Sequence, residues 1–264
     1  MHNGNHLYDG AVDCLNQLTK SGKKTIILSN SGRRSAENKI RLENIGFTRE
    51  CYTDLITSGD VAWQMLASEQ GLLGQFTGKR CLFLASDNSA EFSRGLPLIP
   101  VKTVEESDLI ILAGIDDERP NDYYLELIEA GVNLGIPLVC TNPDSMRITH
   151  HGLKPSAGYI AKQYQNKGGT TYFVGKPYPE IYEYCFKLTN THSLDRVVMI
   201  GDSLHHDVTG GNSVGIDTML IMGGVHAAEL LRDLEPKKIA ANIANLARPS
   251  GALPEWACDT FKWQ

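Results

Sequence analysis

Two aspartates five positions apart, Asp202 and Asp207, follow the apolar run Val197, Val198, Met199, Ile200 in RVVMIGDSLHHDV. Such a run, closed by Gly201, reads as a strand buried on both faces of a parallel sheet, its carboxylates delivered to the loop beyond the strand, where these sheets bind ligands. Asp207 falls at the start of an expected helix through Gly211 and Val214. Two hard oxygen donors in one loop suit Mg²⁺, which keeps several waters and takes only one or two carboxylates from protein. Aspartates also cap turns and helix starts, so the pair alone leaves both uses open. His205 and His206 are adjacent and do not share a helix face, which argues against a zinc site built on them.

Other side chains sit at comparable places. Ser29 ends the apolar stretch 24–28 and is followed by Asn30, Ser31 and Gly32; its hydroxyl and the nearby N–H groups suit a phosphate, and a plain Ser-Asn turn uses the same residues. Lys176 follows the stretch 171–174 and precedes a proline-started helix. Its ammonium could neutralise a phosphate oxygen, or simply be solvated in a turn. Asn142 and Asp144 in TNPDS, and Asp116 in GID, are loop candidates for substrate contact, with turn chemistry as the alternative.

The elements that must position these residues alternate. Helical periodicity runs from Asp9, with Val12, Leu15 and Leu18 on one face and Gly22 as the stop, and again over 35–45, 60–69 and 123–130. Strands are expected at 24–28, 55–57, 80–84, 109–112, 137–140, 171–174 and 218–222, with 171–174 a return to the first architecture and everything after Ala227 helical. This predicts an α/β fold with a doubly wound parallel sheet: a core of residues 1–70 and 171–264 and an inserted α/β domain over 71–170.

Composition narrows the partners. With 264 residues, a net charge of −6 and a pI near 5.8, the chain has no basic field for nucleic acid or an anionic membrane, so a small molecule is expected. Apolar runs such as 109–114 fall far short of a membrane span and no charged-then-apolar leader opens the sequence, so a cytoplasmic location is expected. The six cysteines (Cys14, Cys51, Cys81, Cys140, Cys185, Cys258) lack metal-like spacing and read as reduced core residues. A dinucleotide enzyme is disfavoured, because no glycine-rich fingerprint follows a first strand.

Taken in order, ILSNSGR, GKPYPE and GDSLHHDVTGGNSVGIDTMLIMGG resemble the second, third and fourth motifs of the haloacid dehalogenase (HAD) superfamily, and the insertion with GID and TNPD is similar to the cap of its class IIA phosphatases. The resemblance implies a Rossmann-like core and a phosphatase hydrolysing a small phosphorylated metabolite (a sugar phosphate, nucleotide, glycerol phosphate or pyridoxal phosphate) through an aspartyl-phosphate. By the same resemblance Ser29 binds the transferring phosphoryl group, Lys176 fixes the nucleophile and phosphate charge, Asp202 ligates Mg²⁺, and Asp207 ligates it or orients a ligand. Asn30 joins the phosphate site. Two copies are expected to pair through the cap.

One departure matters. The family's first motif is an apolar strand ending in the nucleophilic aspartate, and HNGNHLYDGA resembles the segment just after it. Asp9 has no apolar strand before it and sits where the first helix begins, so it is rejected as nucleophile; strand and nucleophile are expected upstream of Met1. Loss of about five buried apolar side chains at roughly 1.5–3 kcal/mol each rivals a domain's net stability of about 5–15 kcal/mol. The 264-residue chain is therefore expected to fold poorly and release little phosphate. The alternative is a catalytically inactive fragment, or a protein binding a phosphorylated ligand or partner.

Overall fold

The apolar runs become strands and the 3.6-residue patterns become helices largely where the sequence places them. The computed structural model describes residues 1, 7–69, 71–85, 92–116, 118–149, 152–231 and 235–263. In chain order the principal elements are α1 (Ala11–Lys20), β1 (Ile26–Ser29), α2 (Ser35–Asn44), β2 (Asp54–Thr57), α3 (Ser58–Ala67), β3 (Arg80–Leu84), β4 (Ile99–Val101) and β5 (Leu109–Leu112). Then come α4 (Asn121–Asn133), β6 (Leu138–Cys140), β7 (Met146–Thr149), β8 (Gly152–Pro155), α5 (Ala157–Asn166), β9 (Thr171–Phe173) and α6 (Pro179–Thr189). The chain continues with β10 (Val198–Gly201), α7 (Thr209–Ser213), β11 (Asp217–Ile221), α8 (Pro236–Ala247) and β12 (Trp256–Cys258). The expected α/β class with parallel sheets is what forms.

The chain divides into two compact units, one of Met1–Ile26, Leu42–Asp54 and Lys176–Gln264, the other of Ile27–Arg41 and Leu55–Gly175. The second unit holds a parallel five-stranded sheet in the order β4-β3-β5-β6-β9. Its central strand β5, Leu-Ile-Ile-Leu, is buried at all four positions, as a parallel strand covered on both faces must be. Pro100 lies on the edge strand β4, where a missing N–H breaks no interior ladder. One face carries α4 and α5, with Ile128, Ile160, Ala161 and Tyr164 closing a core over Ile110, Leu112 and Leu138. The pair β1-β2 also falls mostly in this unit, and β7-β8 is an antiparallel hairpin.

The first unit holds the parallel sheet β10-β11-β12. Leu220 and Met222 pack with Leu204, Val208, Leu230, Ile243 and Ala247. Among the described residues β10 pairs only with β11, and this overturns the expectation of two-sided burial: Val198 is 44% exposed and the next three residues are half-buried. Two other expectations are corrected. The strand at Thr171–Phe173 pairs with Leu138–Cys140 in the five-stranded sheet. The C-terminal stretch is not wholly helical, because Trp256–Cys258 adds a strand beside β11. Asp207 also precedes its helix, lying in a π-helical turn, Leu204–Val208, that leads into α7.

Two interactions in the five-stranded unit give tests. Fully buried Tyr164 donates its hydroxyl to the Ile136 carbonyl, and burial pushes its pKa up to about 12, keeping the donor protonated. Tyr164→Phe should lower stability by about 1–3 kcal/mol in urea unfolding, the cost of orphaning a buried acceptor. At the surface, the hydrogen-bonded guanidinium of Arg80 holds the Asp108 carboxyl down at about 2. A depressed carboxylate stabilises fully above its unfolded pKa and loses that contribution as pH falls through the folded value. An NMR titration should therefore find the Asp108 midpoint near 2 and move it up toward the ordinary carboxylate range in Arg80→Gln, where the backbone N–H of residue 80 still donates to the carboxylate.

Candidate functional site

The sequence-derived residues gather into two constellations, one within each unit. In the first unit, Lys176 Nζ lies 2.7 Å from Asp207 Oδ1, with side-chain exposures of 14% and 5%. Lys176 opens the segment leading into α6, whose first turn carries Pro179. The other Asp207 oxygen accepts the Ser203 N–H at 3.0 Å. Gly201 makes room for this carboxylate, since a Cβ there would stand 2.1 Å from Asp207 Cγ. The turn itself is held by Ser203 Oγ, which accepts the His206 N–H at 3.1 Å, and by the Tyr182 hydroxyl, which donates to the His206 carbonyl at 3.2 Å. Burial raises the Tyr182 pKa, and a Cβ on Gly210 would collide with its hydroxyl oxygen.

Asp202 sits differently. Only its Oδ2 is engaged among the described residues, accepting the Val225 N–H at 3.2 Å, and the side chain is partly exposed. Gly224 lies against it so closely that a Cβ would stand 2.1 Å from Oδ2. His226 Nε2 accepts the Leu204 N–H at 3.4 Å, tying the loop after β11 to the loop after β10. The half-buried backbone nitrogen of Met1 lies within electrostatic reach of this cluster; burial lowers its pKa, and Asp202 and Asp207 act in the opposite direction. Sequence reading missed Tyr182, Gly224 and His226, whose parts depend on loops meeting in space. The glycine pair 223–224 directly after an apolar strand was the one local signal.

This donor set fits Mg²⁺. Among the described residues no group of three or more His, Cys, Asp or Glu side chains could hold a metal, which leaves two carboxylates with water for the remainder. Zinc would want three or four protein ligands, magnesium one or two carboxylates.

The second constellation lies within the other unit. Ser29 Oγ accepts the Ser31 N–H at 3.2 Å. Asn30, 6% exposed, donates from Nδ2 to Asp144 Oδ1 at 2.7 Å, and Asn142 Oδ1 accepts the Asp144 N–H at 3.1 Å. Asp116 receives the Glu118 N–H on Oδ1 and lies 3.9 Å from Arg119, while its own N–H donates to the Tyr124 hydroxyl. Thus Ser29, Asn30, Asn142 and Asp144 form one polar cluster, and Asp116 is engaged in its own loop.

The buried ion pair yields a test of the first constellation. Lys176→Met leaves Asp207 as an uncompensated buried charge, and should cost about 3–5 kcal/mol of stability at neutral pH. Lys176→Met combined with Asp207→Leu should recover most of that loss in denaturant unfolding, because both charges leave together. Two additive losses would refute the coupling.

Known proteins resemble this chain over both of its units. Residues 1–96 match the sequence pattern described as haloacid dehalogenase-like hydrolase, and residues 173–246 match the one described as HAD-hydrolase-like. Chronophin of Rattus norvegicus is 29% identical over 95% of this chain and 85% of its own length. The acid sugar phosphatase of Staphylococcus aureus is 26% identical, covering 90% of this chain and 88% of that protein. Among solved structures, a haloacid dehalogenase-like hydrolase from Brucella suis superposes with a TM-score of 0.78 at 26% identity, covering 97% of this chain and 90% of the other. Along most of its length the chain is similar to haloacid dehalogenase-like hydrolases, phosphatases among them.

Proposed function

We propose that this chain is the greater part of a Mg²⁺-dependent phosphatase for a small phosphate monoester, whose nucleophilic aspartate lies on a strand N-terminal to Met1. The observation that carries the reading is the cluster of Lys176, Asp202 and Asp207 beyond the carboxyl end of β10, where parallel α/β sheets bind their ligands. Similarity to an acid sugar phosphatase supports a small phosphorylated metabolite as substrate; the sequence resemblance implies the sugar phosphate, nucleotide, glycerol phosphate and pyridoxal phosphate classes. Six free cysteines suit a reducing cytoplasm. Two copies would pair through the inserted domain, for which 71–170 is the proposed extent.

Each residue has a physical part to play. Asp202, with one oxygen held by Val225 and the other turned to no partner among the described residues, offers the ligand oxygen. Asp207 keeps the Lys176 ammonium at the loop, so that a cation stands where phosphate charge must be neutralised. Within its own unit Ser29 offers a hydroxyl suited to a phosphate oxygen. Asp202, with Asp207 as ligand or orienting group, would hold Mg²⁺, which would supply Lewis-acid stabilisation of the phosphoryl charge. Transfer to the aspartate, followed by hydrolysis of the aspartyl-phosphate, divides a difficult displacement into two easier ones.

Two features support an upstream strand. Among the described residues one side of β10 has no strand beside it, and its backbone donors and acceptors are ones that another parallel strand would satisfy. The Met1 amino group lies within electrostatic reach of Asp202, Asp207 and Lys176, so a segment joined to it would start near that cluster.

The test is to translate the DNA upstream of the Met1 codon in frame and assay the extended and the 264-residue proteins on p-nitrophenyl phosphate with Mg²⁺. The extended protein should hydrolyse it, and Asp202→Asn should reduce its kcat by about 100-fold or more. Equal activity from the two proteins would overturn the upstream nucleophile. Full activity in Asp202→Asn would overturn the metal role.

A further inference from the structure

The loop 29–33 is enclosed by neighbours from its own unit. From the start of α3, Ser58 Oγ donates to the Ser29 carbonyl at 3.3 Å, Gly59 N–H donates to the Ser31 carbonyl at 3.0 Å, and Thr57 Oγ1 donates to the Arg33 carbonyl at 2.7 Å. Gly32 runs so close to Ala113 that a Cβ would stand 2.0 Å from its carbonyl oxygen. A Cβ on Gly175 would stand 2.2 Å from Ser58 Oγ and 2.9 Å from Asn30 Oδ1. Within this enclosure Asn30 reaches the TNPD segment through the 2.7 Å bond from Nδ2 to Asp144 Oδ1, and Thr141 Oγ1 of the same segment donates to the Gly32 carbonyl at 3.5 Å.

Asp144 is itself fixed. Its N–H donates to Asn142 Oδ1 at 3.1 Å in an Asx turn, and its carbonyl accepts the Gly158 N–H at 3.1 Å in the first turn of α5. The bonds therefore run without a gap from α5 through Asp144 and Asn30 to Ser58 at the start of α3, where Ser58 Oγ lies 3.4 Å from Asn30 Oδ1. A charge-assisted bond on a buried amide is a strong and directional restraint.

We propose that Asp144 is a positioning residue that holds Asn30, and through it the loop 29–33, in the conformation that receives phosphate, and that it is not a substrate ligand. The proposal rests on the reading of the Ser29 loop as the phosphoryl-binding loop. A carboxylate this close to that loop works electrostatically against an incoming anion, so its contribution is the geometry it imposes. Charge and geometry can then be separated. Asparagine keeps the Oδ1 acceptor and removes the charge, whereas alanine removes both.

The experiment uses the full chain and reads amide hydrogen exchange together with binding of inorganic phosphate. In Asp144→Ala the amides of Ser31, Gly32 and Arg33 should exchange about tenfold faster or more, the local effect of losing a charge-assisted bond, with β5 amides unchanged, and phosphate should bind more weakly. In Asp144→Asn the same amides should stay slow and phosphate should bind at least as tightly as to the parent. Unchanged loop exchange in Asp144→Ala, or exchange in Asp144→Asn as fast as in the alanine variant, would overturn the proposal. So would weaker phosphate binding in Asp144→Asn. If Asp144→Ala fails to fold, Asn142→Ala removes the brace on Asp144 while keeping its carboxylate, and must speed the same amides for the proposal to stand. Failure of the parent chain to bind phosphate would count against the phosphate-loop reading, while the exchange rates still decide whether Asp144 holds the loop.

Discussion

A lysine ammonium 2.7 Å from a carboxylate, both nearly sealed from water, is the constraint on which one half of this protein depends. Neither charge survives burial alone at modest cost, so the surrounding chain satisfies both. Gly201 gives up a side chain so that the Asp207 carboxylate can lie against the backbone. Ser203 turns its N–H onto the second oxygen, and the π-helical turn, a geometry frequent at functional sites, carries Asp207 back toward the end of β10. Tyr182 then locks that turn through the His206 carbonyl, and Gly210 clears the space its hydroxyl needs.

The two aspartates of the same loop therefore have different capacities. Asp207 has both oxygens bonded inside the protein and serves first as an anchor for Lys176. Among the described residues Asp202 accepts one backbone N–H, and it is partly open to solvent. The sequence leaves Asp207 either to ligate a metal or to orient a ligand; burial gives the two carboxylates different surroundings. The separation follows from position, since Asp207 enters the core with Leu204 and Val208 while Asp202 stays at the strand's end.

What could be read in advance followed the range of the forces involved. β3 and β5 emerge at the residues their apolar runs delimit, because a short run bounded by polar residues needs only local information. β12 was hidden because Trp256, Ala257 and Cys258 form too short a run to show a period, and they become a strand only by lying beside Met219, Leu220 and Ile221. β9 was legible as a strand, but its partner was not; parallel pairing to β6 is a long-range choice that leaves no local mark. The same holds in the sites. Lys176 and the aspartates announced themselves by following strands, whereas the bond between Asn30 and Asp144 joins residues 114 apart, each of which resembles an ordinary turn residue.

The most informative disagreement is at β10. Val-Met-Ile-Gly is a composition suited to two-sided burial, yet among the described residues the strand has one neighbour in its sheet and Val198 lies 44% exposed. Natural sequences agree with their surroundings at most positions, and a disagreement of this kind has a physical cause. Edge strands are ordinarily blunted by charges, proline or bulges, and β10 carries none of these along its four residues. Its apolar residues fit an interior strand instead, one flanked on both sides. A parallel neighbour on the open side would bury Val198, pair the free backbone groups, and end at the same sheet edge as Asp202. A nucleophilic aspartate at the end of such a neighbour would need no further device to reach the cluster, because the pairing that completes the sheet also delivers the carboxylate.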